Sequence, residues 1–244
     1  MSKIILEARS IRKTLGRGAG KVQALRGVDL SLRRDELTLL MGPSGSGKTT
    51  LLLVLGCMLA PTAGTLTVCG TSTSNSDKEA LARIRRNHIG FVFQSYHLFP
   101  TLTAAQNVQL ALDIRGEHGR RAAKKAREAL SKVGLEQKAD TLPMELSGGE
   151  QQRVAIARAF VANPSIILAD EPTAALDGDN GRTIMRILAD AAHERQRAVL
   201  VVTHDPRIVP FADRIVEIED GRLVNEESGG PERLRMPKAV AFRP

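Results

Sequence analysis

The sequence predicts an α/β fold, because short apolar runs of strand length alternate with longer stretches of helical period. Residues 37–41, 165–169 and 199–202 are almost continuously apolar, as strands covered on both faces are. The helical segments between them include 178–195, where Ile184, Ile187, Leu188 and Ala191 form an i, i+3, i+4, i+7 stripe. A chain of 244 residues suffices for one such domain, or for a core with a small appended subdomain.

Taken in order, residues 4–9 and 24–32 alternate apolar with polar residues and read as half-buried strands. The buried strand 37–41 leads through a glycine-rich turn into a helix from Lys48 that is apolar nearly all round and should be covered on most sides. Pro61-Thr62-Ala63-Gly64 is a turn, followed by a short strand through Val68. Residues 77–86 read as a helix carrying Arg83, Arg85 and Arg86, and 89–93 as a strand ending in Gln94. Residues 103–133 are mostly helical, and the basic run 120–127 reads as a solvated helix face. Gly134 and Pro143 punctuate the chain before Leu146-Ser147-Gly148-Gly149-Glu150-Gln151-Gln152-Arg153 opens a helix with Val154, Ala157 and Val161 on one face. The strand 165–169 ends in Asp170-Glu171-Pro172, and 199–202 ends at Thr203-His204-Asp205. A hairpin over 214–219 and 222–224 turns at Asp220-Gly221. The chain becomes polar after Asn225, and the last sixteen residues, 229–244, read as a poorly ordered tail.

The chemistry concentrates in Gly42-Pro43-Ser44-Gly45-Ser46-Gly47-Lys48-Thr49-Thr50. Strand, glycine-rich turn and helix are the setting a phosphate-binding loop requires. Gly42, Gly45 and Gly47 let backbone N–H groups converge on an anion, and the helix beginning near Lys48 aims its free N–H groups and positive dipole end at the same point. Lys48 supplies a point charge for outer phosphates, and the Thr49 hydroxyl is a hard ligand for Mg²⁺. With Gly at about 7% of residues, a chance match in a chain of this length is of order one per cent.

A net charge of +8 suits an anionic ligand, an anionic membrane face or nucleic acid, without choosing among them. Cys57 and Cys69 lack metal-type spacing and read as buried small hydrophobes in a reducing compartment. The first residues are too charged and too short for a signal peptide, and no apolar run approaches the roughly 18 residues of a membrane span. The expectation is a soluble, cytoplasmic chain whose membrane role, if any, comes through a partner.

Three apolar strands end in groups suited to phosphate chemistry, and in parallel α/β sheets the ligand crevice lies at the carboxyl ends of strands. Asp170 stands where a magnesium-orienting carboxylate is needed, and Glu171 can accept a proton from an attacking water. His204 offers an N–H donor near a γ-phosphate, and Gln94 a neutral amide that can touch Mg²⁺ or water and still swing. Ser147-Gly148-Gly149 is a second anion-ready helix N-terminus, which suggests completion of a site on another copy of the domain.

Together these residues resemble the ATP-binding cassette ATPases. Residues 42–50 match a Walker A loop, Gln94 a Q-loop, and Leu146-Ser147-Gly148-Gly149-Glu150 the family signature. Residues 166–171 match Walker B, Ala174-Ala175-Leu176-Asp177 a D-loop, and His204 the switch histidine; the resemblance covers roughly residues 3–226. It implies a P-loop ATPase core with an N-terminal antiparallel β-subdomain and an inserted α-helical subdomain at about 96–160, the whole domain spanning 1–228. It further implies a head-to-tail homodimer sandwiching two ATPs with Mg²⁺, in which the loop of one copy faces Ser147 and Gly149 of the other, with Gly148, Glu150 and Asp177 beside them. Glu171 is then the general base, with His204 and Gln94 at the γ-phosphate and Thr49, Gln94 and Asp170 around the metal.

Within that family the chain resembles the exporter subunits of the MacB, LolD and DevA group, DevA most nearly. The phrases that carry this are Ala169-Asp170-Glu171-Pro172-Thr173-Ala174-Ala175-Leu176-Asp177, Val202-Thr203-His204-Asp205 and Ala212-Asp213-Arg214-Ile215. The group implies a place on the cytoplasmic face of the inner membrane, a separate FtsX-like permease, often a periplasmic adaptor, and amphiphilic cargo. An importer ATPase is the alternative. Chromosome-maintenance ATPases also carry a signature, but they interrupt the domain with a long coiled coil, whereas about fifty residues without sustained heptads separate Gln94 from Ser147. No nucleic-acid partner is expected. The family usually stacks adenine on an aromatic residue before Walker A; Leu15 occupies the apparent position here, which forfeits part of a stacking contribution of about 0.5–1.5 kcal/mol.

Overall fold

The computed structural model describes residues 3–16, 18–74, 76–193 and 197–228. The tail expected over 229–244 lies outside the described residues. In the first part of the chain are β1 (Ile4–Leu15), β2 (Val22–Arg33), β3 (Glu36–Met41) and α1 (Lys48–Leu55). β4 (Ala63–Val68), β5 (Thr71–Ser72), α2 (Lys78–His88) and β6 (Ile89–Val92) follow. Three helices come next, α3 (Ala104–Asp113), α4 (Gly119–Lys132) and α5 (Gly148–Val161). The chain then runs through β7 (Ile166–Asp170), α6 (Gly178–His193), β8 (Ala198–Val202), β9 (Arg214–Glu219) and β10 (Arg222–Ser228).

Two sheets result. The smaller is antiparallel in the order β2-β1-β4-β5; the larger runs β10-β9-β3-β8-β7-β6, with β9, β3, β8, β7 and β6 parallel. The two-residue period of the central strands divides the core. Leu37, Leu39, Ile167, Ala169, Val199 and Val201 face one way and pack with residues of α3, α4, α5 and α6. Leu40, Ile166, Leu168, Leu200 and Val202 face the other and pack with Leu51, Leu52, Val54 and Leu55 of α1 and with the small sheet. Helix α1 therefore lies between two sheets, which accounts for its nearly all-round apolar character. The architecture is the α/β core, antiparallel β-subdomain and inserted helices that the sequence predicts.

The elements differ from their sequence reading in instructive places. β1 and β2 run longer than 4–9 and 24–32 because register shifts between Ala8 and Ile11, and again between Lys13 and Thr14, break the apolar alternation without ending the pairing. Ser10, inside the first shift, has φ +50. β10 reaches Ser228 for a similar reason: it is a polar edge strand with a shift between Leu223 and Asn225, so composition alone makes it look like tail. On α6, Met185 is fully buried whereas Ile187 is only partly so. Cys57 is buried as expected, its thiol pushed up to about 11 by burial, but Cys69 is only half-buried.

The phrase Asp213-Arg214 explains itself in the fold. The Asp213 carboxylate accepts the Leu37 N–H at 2.7 Å and meets His193 Nε2 at 2.9 Å. Arg214 is buried, donates to Glu36 Oε1 at 2.7 Å and Glu226 Oε1 at 3.0 Å, and also reaches the Ser31 carbonyl. It ties β9 to β3, β10 and the small sheet at once. Arg214→Ala takes from the Glu36 carboxylate its buried charged partner, leaving the Thr38 hydroxyl at 2.8 Å and Arg33 at 3.6 Å, and should cost about 3 kcal/mol of stability. Arg207→Ala, which removes an exposed pair with Asp205, should cost about 1 kcal/mol or less. Thermal unfolding checks this, and equal shifts for the two variants would show that the buried network adds nothing.

Candidate functional site

Four adjacent parallel strands, β3, β8, β7 and β6, carry their candidate groups just past their carboxyl ends. The glycine loop follows β3, His204 follows β8, Asp170 and Glu171 end β7, and Gln94 follows β6. One sheet edge thus gathers the groups that lie more than a hundred residues apart in sequence.

Gly42 and Gly47 are fixed by close packing as well as by backbone angle. At Gly42 (φ +154) a Cβ would stand 2.1 Å from the Ile218 carbonyl oxygen, and at Gly47 (φ +103) it would stand 2.6 Å from the Ala24 carbonyl oxygen. Around Gly45 a Cβ would meet nothing within 4 Å, so the loop opens there. Gly47 caps α1 without any side-chain hydrogen bond, which leaves the first N–H groups of that helix for an external acceptor. The Ser46 hydroxyl is buried with no hydrogen-bond partner. An uncapped helix start, an orphaned hydroxyl and open space at Gly45 fit a bound phosphate.

Lys48 is buried, and its ammonium donates to the Gly42 and Pro43 carbonyls at 2.7 Å each. Burial lowers its pKa, while Glu171 and Asp170 act in the opposite sense. Ser44 and Thr50 lie along the same loop and first helical turn, Ser44 exposed and Thr50 partly so. The Thr49 hydroxyl donates to Asp170 Oδ1 at 3.4 Å. Burial, with Glu171 second among the raising influences, pushes the Asp170 carboxyl up, opposed by the Thr49 hydrogen bond and by Lys48. A hydroxyl beside one carboxylate is a set of hard oxygen donors that fits Mg²⁺ completed by phosphate and water oxygens.

Glu171 adopts φ +45, a left-handed conformation that is costly for a residue with a side chain. Its N–H donates to the Val202 carbonyl at 2.9 Å, which fastens the turn after β7 to β8. Its carboxylate, largely enclosed, meets His204 Nδ1 at 2.6 Å. The sequence places these residues 33 apart; the structure makes them a pair. β6 ends at Val92, so Gln94 sits two residues further on, exposed in a turn.

Ser147, Gly148, Gly149 and Glu150 form the start of α5, and their nearest neighbours belong to other parts of the chain than loop 42–50. A Cβ on Gly148 would stand 3.0 Å from the Tyr96 hydroxyl, and one on Gly149 would stand 3.0 Å from Asn180. Ser147 and Glu150 close a capping box: the Ser147 N–H donates to Glu150 Oε2 at 2.8 Å and the Glu150 N–H to Ser147 Oγ at 3.3 Å. Glu150 is thereby occupied in holding the helix start, and Ser147 remains exposed. Asp177 caps α6, accepting from the backbone of Asp179 and Asn180 and from the Asn180 side chain, and those bonds hold its carboxyl below the usual range. Asn180 also takes a bond from Arg153 Nη1 at 3.4 Å, so the D-loop and α5 share one polar network.

Sequence reasoning missed several supports. Gln152 is fully buried and donates to the Pro172 carbonyl at 2.8 Å, tying α5 to the turn after Glu171. The Asp220-Gly221 turn was legible as a hairpin, but its docking was not: Gly221 N–H donates to the Ser46 carbonyl at 3.0 Å. Leu15 pairs across the first hairpin with Val22, and both are exposed. Val22 lies two residues before Ala24, whose carbonyl touches Gly47, so an aliphatic pair stands on that side of the loop.

Comparison with known proteins agrees with this geometry. The family model described as ABC transporter matches residues 25–174. The macrolide export ATP-binding/permease protein MacB of Shigella flexneri is 43% identical over 220 residues, covering 90% of this chain and 34% of that protein. MacB of Salmonella typhi is 44% identical over 221 residues, covering 91% and 34%. The chain thus spans about a third of the length of the curated relatives it matches. Among solved structures, the dimeric post-hydrolysis state of the ATP-binding cassette MJ0796 bound to ADP and Pi superposes with a TM-score of 0.86 at 42% identity, covering 92% of this chain and 98% of that one. The cbiO1 protein of Clostridium perfringens, part of the transporter complex cbiONQ, gives 0.82 at 28% identity, covering 95% and 90%.

Proposed function

The chain belongs to the ABC transporter family, and from that premise we propose that it hydrolyses ATP to power a permease that moves amphiphilic cargo out of the cell. The single observation that supports this best is the convergence of the Lys48 loop, Asp170, the Glu171–His204 pair and Gln94 at one sheet edge. In this reading the N–H groups of the loop and α1 hold the β- and γ-phosphates. Lys48 exchanges its bonds to the Gly42 and Pro43 carbonyls for phosphate oxygens. Thr49 and Asp170 would hold Mg²⁺, whose charge neutralises phosphate oxygens when it is bound. Glu171, fixed by its backbone bond to Val202, takes the proton of the attacking water as the water oxygen bonds to the γ-phosphorus and the bond to ADP breaks. His204 keeps the Glu171 carboxylate oriented and presents its other nitrogen to the site.

The signature supports a two-copy site. Ser147 is exposed at the α5 N-terminus, and the groups beside Gly148 and Gly149 are Tyr96, Leu176 and Asn180 rather than loop 42–50, which leaves Ser147 for the loop of a second copy. Domain limits of 1–228, with the helices of about 96–160 as the part that answers to the permease, suit this arrangement. Among the described residues no helix is long and apolar enough to cross a membrane. We assign passage of cargo to an FtsX-like permease, with a periplasmic adaptor reached through it. We place the chain peripherally at the cytoplasmic face of the inner membrane, a position that the net charge of +8 suits. The MacB relatives, described as macrolide export proteins, support export over import as the direction; for the cargo we propose a lipid, lipoprotein, glycolipid or drug.

The reading is tested by steady-state hydrolysis of Mg-ATP across a range of protein concentrations. If two copies build each site, activity rises with the square of concentration where monomers prevail. A strictly linear dependence throughout, with a monomer by sedimentation, would exclude the shared site.

A further inference from the structure

The segment between Gln94 and α3 carries a contact that the nucleotide site does not use. Tyr96 and His97 are consecutive, neither is glycine, and both are left-handed, with φ +59 and +48. Each such residue is strained, and the conformation persists only where its surroundings hold it. Within the turn the Tyr96 N–H donates to the Phe93 carbonyl at 3.2 Å and the His97 N–H to the Ser95 carbonyl at 2.5 Å, and from outside it one side chain on α5 holds both residues. Arg158 Nη2 donates to the Tyr96 carbonyl at 2.6 Å and Nη1 to the His97 carbonyl at 2.5 Å. Two successive carbonyls brought to one planar donor fork are what a guanidinium matches and an ammonium does not. Burial lowers the Arg158 pKa, and no carboxylate is among the causes of its shift.

The segment also packs against α5 at a second point. The Tyr96 hydroxyl lies where a side chain on Gly148 would be, 3.0 Å from its Cβ position. Gly148 is the first residue of α5 and Arg158 the eleventh, so both contacts fall on one helix, about 15 Å apart along its axis. Toward the sheet, the His97 ring packs on Phe93 with centroids 4.7 Å apart, and Phe93 stacks on Phe91 of β6 at 5.3 Å. Gln94 stands between the aromatic stack at the end of β6 and the turn that α5 holds.

We propose that Arg158 is a positioning residue: by bridging the Tyr96 and His97 carbonyls it sets where Gln94 stands and makes the 94–97 turn move as one body with the Ser147 end of α5. The proposal rests on the ATPase reading above and adds to it the part that links the Gln94 side of the site to the signature. Replacing Arg158 removes the bridge but touches neither the phosphate loop nor Glu171.

The chain has one tyrosine and no tryptophan, so Tyr96 is a single-site reporter. The experiment uses the full chain labelled with 3-fluorotyrosine and compares Arg158→Lys and Arg158→Gln with the parent. Three quantities are read: kcat and KM for ATP, the melting temperature, and the fluorine resonance of Tyr96 with no nucleotide, with Mg-ADP and, in a Glu171→Gln background, with Mg-ATP. The expected result is a kcat lowered about 10-fold or more with KM within about 2-fold, because the loop still binds phosphate while Gln94 is misplaced. The melting temperature should hold in Arg158→Lys, and the resonance should already be shifted or broadened without nucleotide. The parent resonance should move with Mg-ATP, and that response should be lost in both variants. An unchanged kcat and an unchanged resonance in both variants would overturn the proposal, as would a kcat that falls only in step with the melting temperature while the resonance of the folded chain stays where it is in the parent. A parent that neither binds nor hydrolyses ATP would instead refute the ATPase reading, which keeps the two failures apart.

Discussion

Glu171→Gln should retain ATP, lower kcat by about 10²–10⁴-fold, and bring two copies together as a dimer stable enough to survive size exclusion in Mg-ATP. The geometry explains why so small a change has so large an effect. The Glu171 backbone is committed to a left-handed turn and fastened to Val202 at 2.9 Å, so an amide in its place keeps the same position. It can still accept a hydrogen bond from His204 Nδ1, which lies 2.6 Å from the carboxylate in the parent. What it cannot do is take a proton from water. Binding survives and the step that reopens the site does not, so the two-copy state accumulates. Should the variant remain monomeric at high protein concentration while binding ATP, the shared site built from Ser147 and the glycine loop would have to be abandoned.

The residues around this reaction differ in how visible they are in sequence, and the difference has a physical origin. The glycine loop, Asp170, Glu171 and His204 were legible because each ends a run of four or five apolar residues, and adjacent parallel strands bring such ends to one edge. The pairing of Glu171 with His204 was not legible, since it depends on β7 and β8 being neighbours and on a positive φ at Glu171. Ser147 was legible as part of an anion-ready helix start, but its capping box with Glu150 and the use of Asp177 for α6 appear only when the helix starts are seen. Arg158 gave no signal at all. It lies on a helix whose period identifies Val154, Ala157 and Val161 as core, and its partners are main-chain carbonyls, which carry no sequence identity. The strand limits failed for a related reason: shifts at Ala8/Ile11 and Leu223/Asn225 change which face a residue takes without changing composition.

Lys48→Ala should abolish ATP hydrolysis, with a loss of at least about 10²–10³-fold in kcat and a much weakened hold on the nucleotide, measured by phosphate release and by equilibrium binding. The same variant should fold as well as the parent. In the parent the ammonium is buried, and burial lowers its pKa below the ordinary 10.5 despite the favourable field of Glu171 and Asp170. A lysine whose pKa is lowered on folding binds fewer protons folded than unfolded between its two pKa values, so its presence penalises the folded chain at neutral pH. That penalty fades as pH rises through the alkaline window ending near 10.5. Alanine removes the penalty along with the bonds to the Gly42 and Pro43 carbonyls, which face the opened loop. The stability of the parent relative to Lys48→Ala should therefore improve as pH rises through that window, read from denaturant unfolding at several pH values. Undiminished turnover in Lys48→Ala would remove the loop from the reaction. A pH-independent stability difference would mean that the Lys48 pKa is not lowered on folding, the nearby carboxylates and its two carbonyl bonds offsetting burial in full.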